Sequence, residues 1–148
     1  MKTRKDIVPA RILLIEDNAG DITLFRYALD ATGEPYELQV LEDGGEALNY
    51  VRDHWTSLPS YEPCVIVLDL RLPKCDGIEI LEKLRQAPAL SHVKVAVVTA
   101  GASPADEARI AHLNVGLFGE KSTSIDEFLD LGKDIMRLCQ GKLSDVAA

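Results

Sequence analysis

Two kinds of apolar pattern alternate along this chain. One is a short continuous block, rich in β-branched residues. Such blocks lie at 11–15, 64–68, 93–98 and 115–119, and 36–42 alternates with Tyr36, Leu38 and Val40 on one face. Blocks this short and this apolar predict strands buried on both faces, as in a parallel sheet. The other pattern spaces its apolar residues three or four apart, as a helix requires. It is carried by Ile22, Phe25, Ala28 and Leu29, then by Ala47, Leu48 and Val51, then by Ile78, Leu81 and Leu84. The last such segment, 125–140, has Ile125, Phe128, Leu129, Ile135 and Met136 inward. Leu131 and Leu138 widen its stripe towards an exposed apolar face.

Punctuation supports the same division. Asn18 with Asp21, Asp43 with Glu46, Ser103-Pro104-x-Asp106 and Ser124 with Glu127 each read as a helix start. Gly33, Pro35 and Pro88 read as stops. The count is five strands alternating with five helices. Short connections in that alternation imply an α/β fold: a doubly wound parallel sheet with right-handed crossovers, flavodoxin-like, (βα)5, in strand order 2-1-3-4-5. The predicted boundaries are an arm over 1–10, one domain over 11–140 and a frayed tail over 141–148. There is no repeat, no low-complexity stretch and no linker towards another domain.

The strand ends carry the chemistry. The block 64–68 runs into Asp69, and a carboxylate is too costly to bury unpaired within a strand, so it belongs at the strand's end. The chosen topology brings Glu16 and Asp17, Asp69, Thr99 and Lys121 to the carboxyl edge of one sheet, where open α/β sheets bind ligands. Three acids so close repel unless a cation lies among them. A hard divalent ion with oxygen ligands, most simply Mg²⁺, meets that need. A lysine and a hydroxyl opposite would hold an anion. Together these groups describe phosphoryl transfer to Asp69, giving an aspartyl phosphate.

Composition narrows the partners. The net charge is −8, and the first eleven residues hold four bases against one acid, so the body of the chain is near −11. That argues against nucleic-acid binding by the domain. No apolar run approaches the length of a membrane span, and no signal-peptide core follows the N-terminus. Cys64, Cys75 and Cys139 form no CxxC and leave an odd count, read as neither a disulfide framework nor a zinc site; a reducing cytoplasm fits. His54, His92 and His112 show no ligand spacing.

The run I-L-L-I-E-D-N at 12–18, the run D-L-R-L-P-K-x-D-G at 69–77 and the long loop before the third strand resemble response-regulator receiver domains of two-component signalling. The likeness covers about residues 9–140 and is strongest to the stand-alone type partnered with bacteriophytochromes. It implies Asp69 as phosphoacceptor and Asp17 as a direct Mg²⁺ ligand. Glu16 would hold the metal through water, and Arg71 would offer its backbone carbonyl. Thr99 and Lys121 would bind phosphoryl oxygens, with Thr99 and Phe118 forming a switch and small Ala100 leaving access for the donor. The likeness also implies a sensor histidine kinase as partner, docking near Leu24 and Tyr27 of the first helix. A homodimer would form through the fourth helix, fifth strand and last helix. One position departs from the family: proline usually follows the lysine, often through a cis bond, and this chain has Ser122.

Two other classes compete with a single-domain phosphoacceptor. A hydrolase with an aspartate nucleophile needs a general acid two residues later, and Arg71 cannot serve. A phosphorylation-independent interaction module with a vestigial pocket is favoured only by Ser122.

Overall fold

The computed structural model describes residues 8–60, 62–73 and 75–141. Most of the expected arm, Lys74 of the 69–77 motif and all but Gly141 of the expected tail lie outside the described residues. The elements follow in the order β1 (Ala10–Ile15), α1 (Ala19–Ala31), β2 (Tyr36–Leu41), α2 (Gly44–Asp53) and β3 (Val65–Leu68). Then come β4 (Arg71–Leu72), β5 (Cys75–Asp76), α3 (Gly77–Gln86), β6 (Lys94–Thr99), α4 (Pro104–Ile110), β7 (Val115–Glu120) and α5 (Ile125–Cys139).

Five strands form one parallel sheet in the order β2-β1-β3-β6-β7. Counting only these strands, that is the expected 2-1-3-4-5, a doubly wound flavodoxin-like sheet. Strands β4 and β5, two residues each, form a separate antiparallel hairpin just beyond β3. At the start of β1, Ala10 pairs with Tyr36.

Alternation along the strands builds two cores. Leu13, Ile15, Ile66, Leu68, Val95 and Val97 face one way and pack with Ala47, Val51, Ile78, Leu81 and Leu84 of α2 and α3. Ile12, Leu14, Val65, Val67, Ala96 and Val98 face the other way and pack with α1 and α5. There Phe25 and Phe128 meet edge to face, ring centroids 5.1 Å apart. All four residues of β3 are at most 1% exposed. Burial of such side chains is worth ~1.5–3 kcal/mol each, so the strand that leads to Asp69 is a rigid base.

Local capping is as the sequence predicts. The Asn18 side chain accepts from the Asp21 N–H at 2.9 Å, and Ser103 with Asp106 forms a full capping box. Ser124 and Asp43 also cap as expected.

Two expectations need correction. Leu131 and Leu138 do not form an exposed apolar face: both are buried. They lie over the glycines of β7, where a side chain at Gly116 would strike Leu138 and one at Gly119 would press on Leu131. Small residues in the sheet therefore admit a wider helix face than the stripe alone suggests. The cysteines are not all independent either. Cys64, just before β3, and Cys139, the last residue of α5, form a disulfide with their Cα atoms 5.1 Å apart. Cys75 is free.

Candidate phosphoacceptor site

Parallel register assembles the site. Ile15 pairs with Leu68, so Glu16 is level with Asp69, whose N–H donates to the Ile15 carbonyl at 3.1 Å. Leu68 pairs with Val97, which brings Thr99 two steps on to the same edge. Thr99 pairs with Glu120, and the Lys121 N–H donates to the Thr99 carbonyl at 2.9 Å. Four segments separated by up to 105 positions thus end together, and none of the contacts depends on a long loop.

The side chains converge on Lys121. Its Nζ lies 2.7 Å from Asp69 Oδ2, 2.6 Å from Glu16 Oε2 and 2.7 Å from Asp21 Oδ2. Glu16, Asp69 and Thr99 are buried, and Asp17 is exposed. The other Glu16 oxygen accepts from the Asn18 N–H at 3.1 Å. Asp69 Oδ1 accepts from the Arg71 N–H at 3.0 Å, so the main chain two residues on is held at the pocket. The Thr99 hydroxyl donates to the Gly101 carbonyl at 3.3 Å.

Burial dominates the electrostatics. It pushes Glu16 up to about 7; the Asp69 charge adds to this, while Lys121 and the Asn18 N–H oppose it. Burial acts to lower the Lys121 pKa, but Asp21, Asp69 and Glu16 outweigh it, and Lys121 is held above the ordinary lysine value. Lys121 is therefore a firm cation in a cluster that remains acidic.

Glu16, Asp17 and Asp69 each bring a carboxylate oxygen to within 4.8 Å of the others. Glu16 Oε2 is buried and faces the Lys121 ammonium at 2.6 Å. A hard, all-oxygen donor set of three clustered carboxylates fits a divalent cation such as Mg²⁺.

The remaining predicted residues are more scattered. Phe118 is half-buried at the edge of the α2–α3 core. Ala100 is exposed. On α1, Leu24 packs partly against the α1–α5 core, while Tyr27 is 56% exposed, so Tyr27 offers most of that face. No cis peptide occurs among the described residues, so the Lys121–Ser122 bond is trans, yet Lys121 still reaches Asp69. The Ser122 hydroxyl accepts from the Ser124 N–H at 2.9 Å and so turns the chain into the cap of α5. Arg71 pairs with Asp106, and Arg109 with Asp76 and Glu82, linking α4 to the β4–β5 hairpin and to α3.

Sequence reading missed Asp21 as a member of this site. In the sequence it reads only as a capping partner, and its contact with Lys121 spans 100 residues. The one signal was a third acid within six residues of the end of the first strand.

A buried carboxylate at a strand end, an acidic cluster beside it and a lysine across from it define a receiver-type pocket. The response regulator receiver domain family matches residues 12–131, and the chain belongs to that family. Response regulator Rcp1 of Synechocystis sp. is 32% identical over 133 residues, covering 90% of this chain and 86% of that protein. The crystal structure of the phosphorylated cyanobacterial phytochrome response regulator RcpA has a TM-score of 0.78 at 31% identity, covering 90% of this chain and 95% of that one. The Mn²⁺-bound form of Rcp1 has a TM-score of 0.74 at 31% identity, covering 87% and 93%.

Proposed function

We propose that this chain is a single-domain response regulator that accepts a phosphoryl group on Asp69 from a sensor histidine kinase. The observation that carries this reading is the ion contact of Lys121 with Asp69, beside the Glu16–Asp17–Asp69 oxygen cluster. An Asp69 carboxylate oxygen attacks the phosphorus of a phosphohistidine. A P–O bond forms, the P–N bond breaks, and its electron pair leaves on the imidazole nitrogen. Lys121 and Thr99 hold the phosphoryl oxygens, and small Ala100 leaves the donor room. Glu16 through water, Asp17, Asp69 and the Arg71 carbonyl would hold Mg²⁺, which when bound offsets charge on the phosphoryl oxygens. Thr99 and Phe118 then serve as the switch. The protein acts on itself and does not turn over an external substrate.

A bacteriophytochrome kinase is the partner we favour, because three similar proteins, RcpA among them, are cyanobacterial phytochrome or bacteriophytochrome response regulators by description. The kinase would dock at α1 beside Tyr27. The reading places the protein, with its domain over 11–140, in the cytoplasm, away from nucleic acid and membrane; no described helix is long and apolar enough to cross a membrane. A homodimer through α4, β7 and α5 stands on family likeness alone, since Leu131 and Leu138 are buried.

Mg²⁺ titration separates this reading from a vestigial interaction module. Amide resonances of Asp17 and Asp69 should shift saturably. Unmoved resonances would establish the vestigial reading.

A further inference from the structure

Lys121 has three N–H donors on its ammonium and three carboxylates within 2.7 Å. Two of them, Glu16 and Asp69, belong to the oxygen cluster that fits a cation; Asp21 does not. Asp21 reaches Lys121 from the first turn of α1, where its N–H is held by Asn18. Lys121 reaches back from the residue after β7, where its N–H is held by Thr99. Both ends of this contact are thus anchored by regular structure.

From this geometry we infer that Asp21 is a positioning residue: it keeps the Lys121 ammonium at the pocket when a divalent cation draws on Glu16 and Asp69. The inference rests on the phosphoacceptor reading above. A cation and an ammonium compete for the same two carboxylates, because both are positive. Without a third anchor, a long lysine side chain regains its freedom in water. With Asp21 it stays within reach and can exchange its lost partners for phosphoryl oxygens. A residue that only capped α1 would affect stability and leave Lys121 unmoved.

The test is the ¹H–¹⁵N signal of lysine ammonium groups in the full chain, with Lys121 assigned by its absence in Lys121→Arg. In the unsubstituted protein a slowly exchanging Lys121 signal should persist with and without saturating Mg²⁺. In Asp21→Asn it should persist without Mg²⁺ and vanish with it, and Asp21→Glu should restore it. At saturating Mg²⁺, labelling of Asp69 by acetyl phosphate should slow about tenfold in Asp21→Asn, with Mg²⁺ affinity changed by less than about twofold. A Lys121 signal that survives Mg²⁺ in Asp21→Asn, while the Asp17 and Asp69 amides report bound metal, overturns the role of Asp21 alone. Amides that never shift in the unsubstituted protein overturn the metal reading, and this inference with it.

Discussion

Lys121 Nζ and Asp69 Oδ2 are 2.7 Å apart although 52 residues separate them in sequence. The contact joins the ends of β3 and β7, two strands with β6 between them in the sheet. It sets a lysine ammonium against a buried carboxylate oxygen, where a phosphoryl group would arrive.

Removing that cation leaves Glu16 and Asp69 buried together without an ion partner. Breaking a buried pair of this kind costs about 3–5 kcal/mol. Lys121→Ala should therefore lower the unfolding free energy by about 3 kcal/mol in the presence of a chelator, read from urea denaturation. Mg²⁺ should return part of the loss, because it supplies the missing charge to the same acids.

Glu16 makes metal binding depend on pH. Its folded-state pKa, about 7, lies above the ordinary value of 4.5. The folded chain therefore binds this proton more tightly than the unfolded chain does. The stability it contributes is full below about pH 4.5 and is lost as pH rises to about 7. A cation must displace the same proton, so Mg²⁺ affinity should rise between pH 6 and 8, as ~tenfold per unit at most while Glu16 is protonated. Calorimetry in two buffers of different ionisation enthalpy should show proton release on binding. Glu16→Gln should flatten the profile.

Gly77 supports the site from below. A Cβ there would fall 2.5 Å from Leu70 Cα and 2.7 Å from the Asp69 carbonyl oxygen, both main-chain atoms. Gly77→Ala should cost about 2 kcal/mol, in the range of overpacked positions, and should slow labelling of Asp69 by moving its backbone. Gly101→Ala is the stability control, since its added methyl group meets nothing within 4 Å. Equal stability losses in the two variants would contradict the packing argument.

The Cys64–Cys139 bridge closes a separation of 75 residues and ties α5 to the start of β3. Thiol titration of the unfolded, unreduced chain should find one thiol, that of Cys75, and three after reduction. Cys139→Ser should lower stability by about 2–4 kcal/mol under oxidising conditions and by much less under reducing ones. A reducing cytoplasm disfavours such a bond, so in the proposed setting the pair would respond to oxidation.

What was legible in the sequence was local or periodic. The strands 11–15 and 64–68 declare themselves because both faces are buried and an acid follows each. Asn18, Asp43, Ser103 and Ser124 declare helix starts because a cap acts within four residues. Glu16, Asp17, Asp69, Thr99 and Lys121 were found through topology, since each stands at or just past a strand end. The β4–β5 hairpin escaped because two-residue strands carry no period. The Cys64–Cys139 bond escaped because spacing does not reveal distant pairing. Leu131 and Leu138 were misplaced because the helix stripe cannot show how small the facing residues of β7 are. Asp21 was hidden by a sufficient local explanation, its cap contact, which is also present.

The proposed function requires Asp69 to accept the phosphoryl group with the help of a divalent cation. Intact mass after incubation with acetyl phosphate and Mg²⁺ tests it most directly. The unsubstituted chain should gain the mass of one phosphoryl group, and Asp69→Asn or omission of Mg²⁺ should abolish the gain. An equal gain in Asp69→Asn, or no gain in the unsubstituted chain, would contradict it.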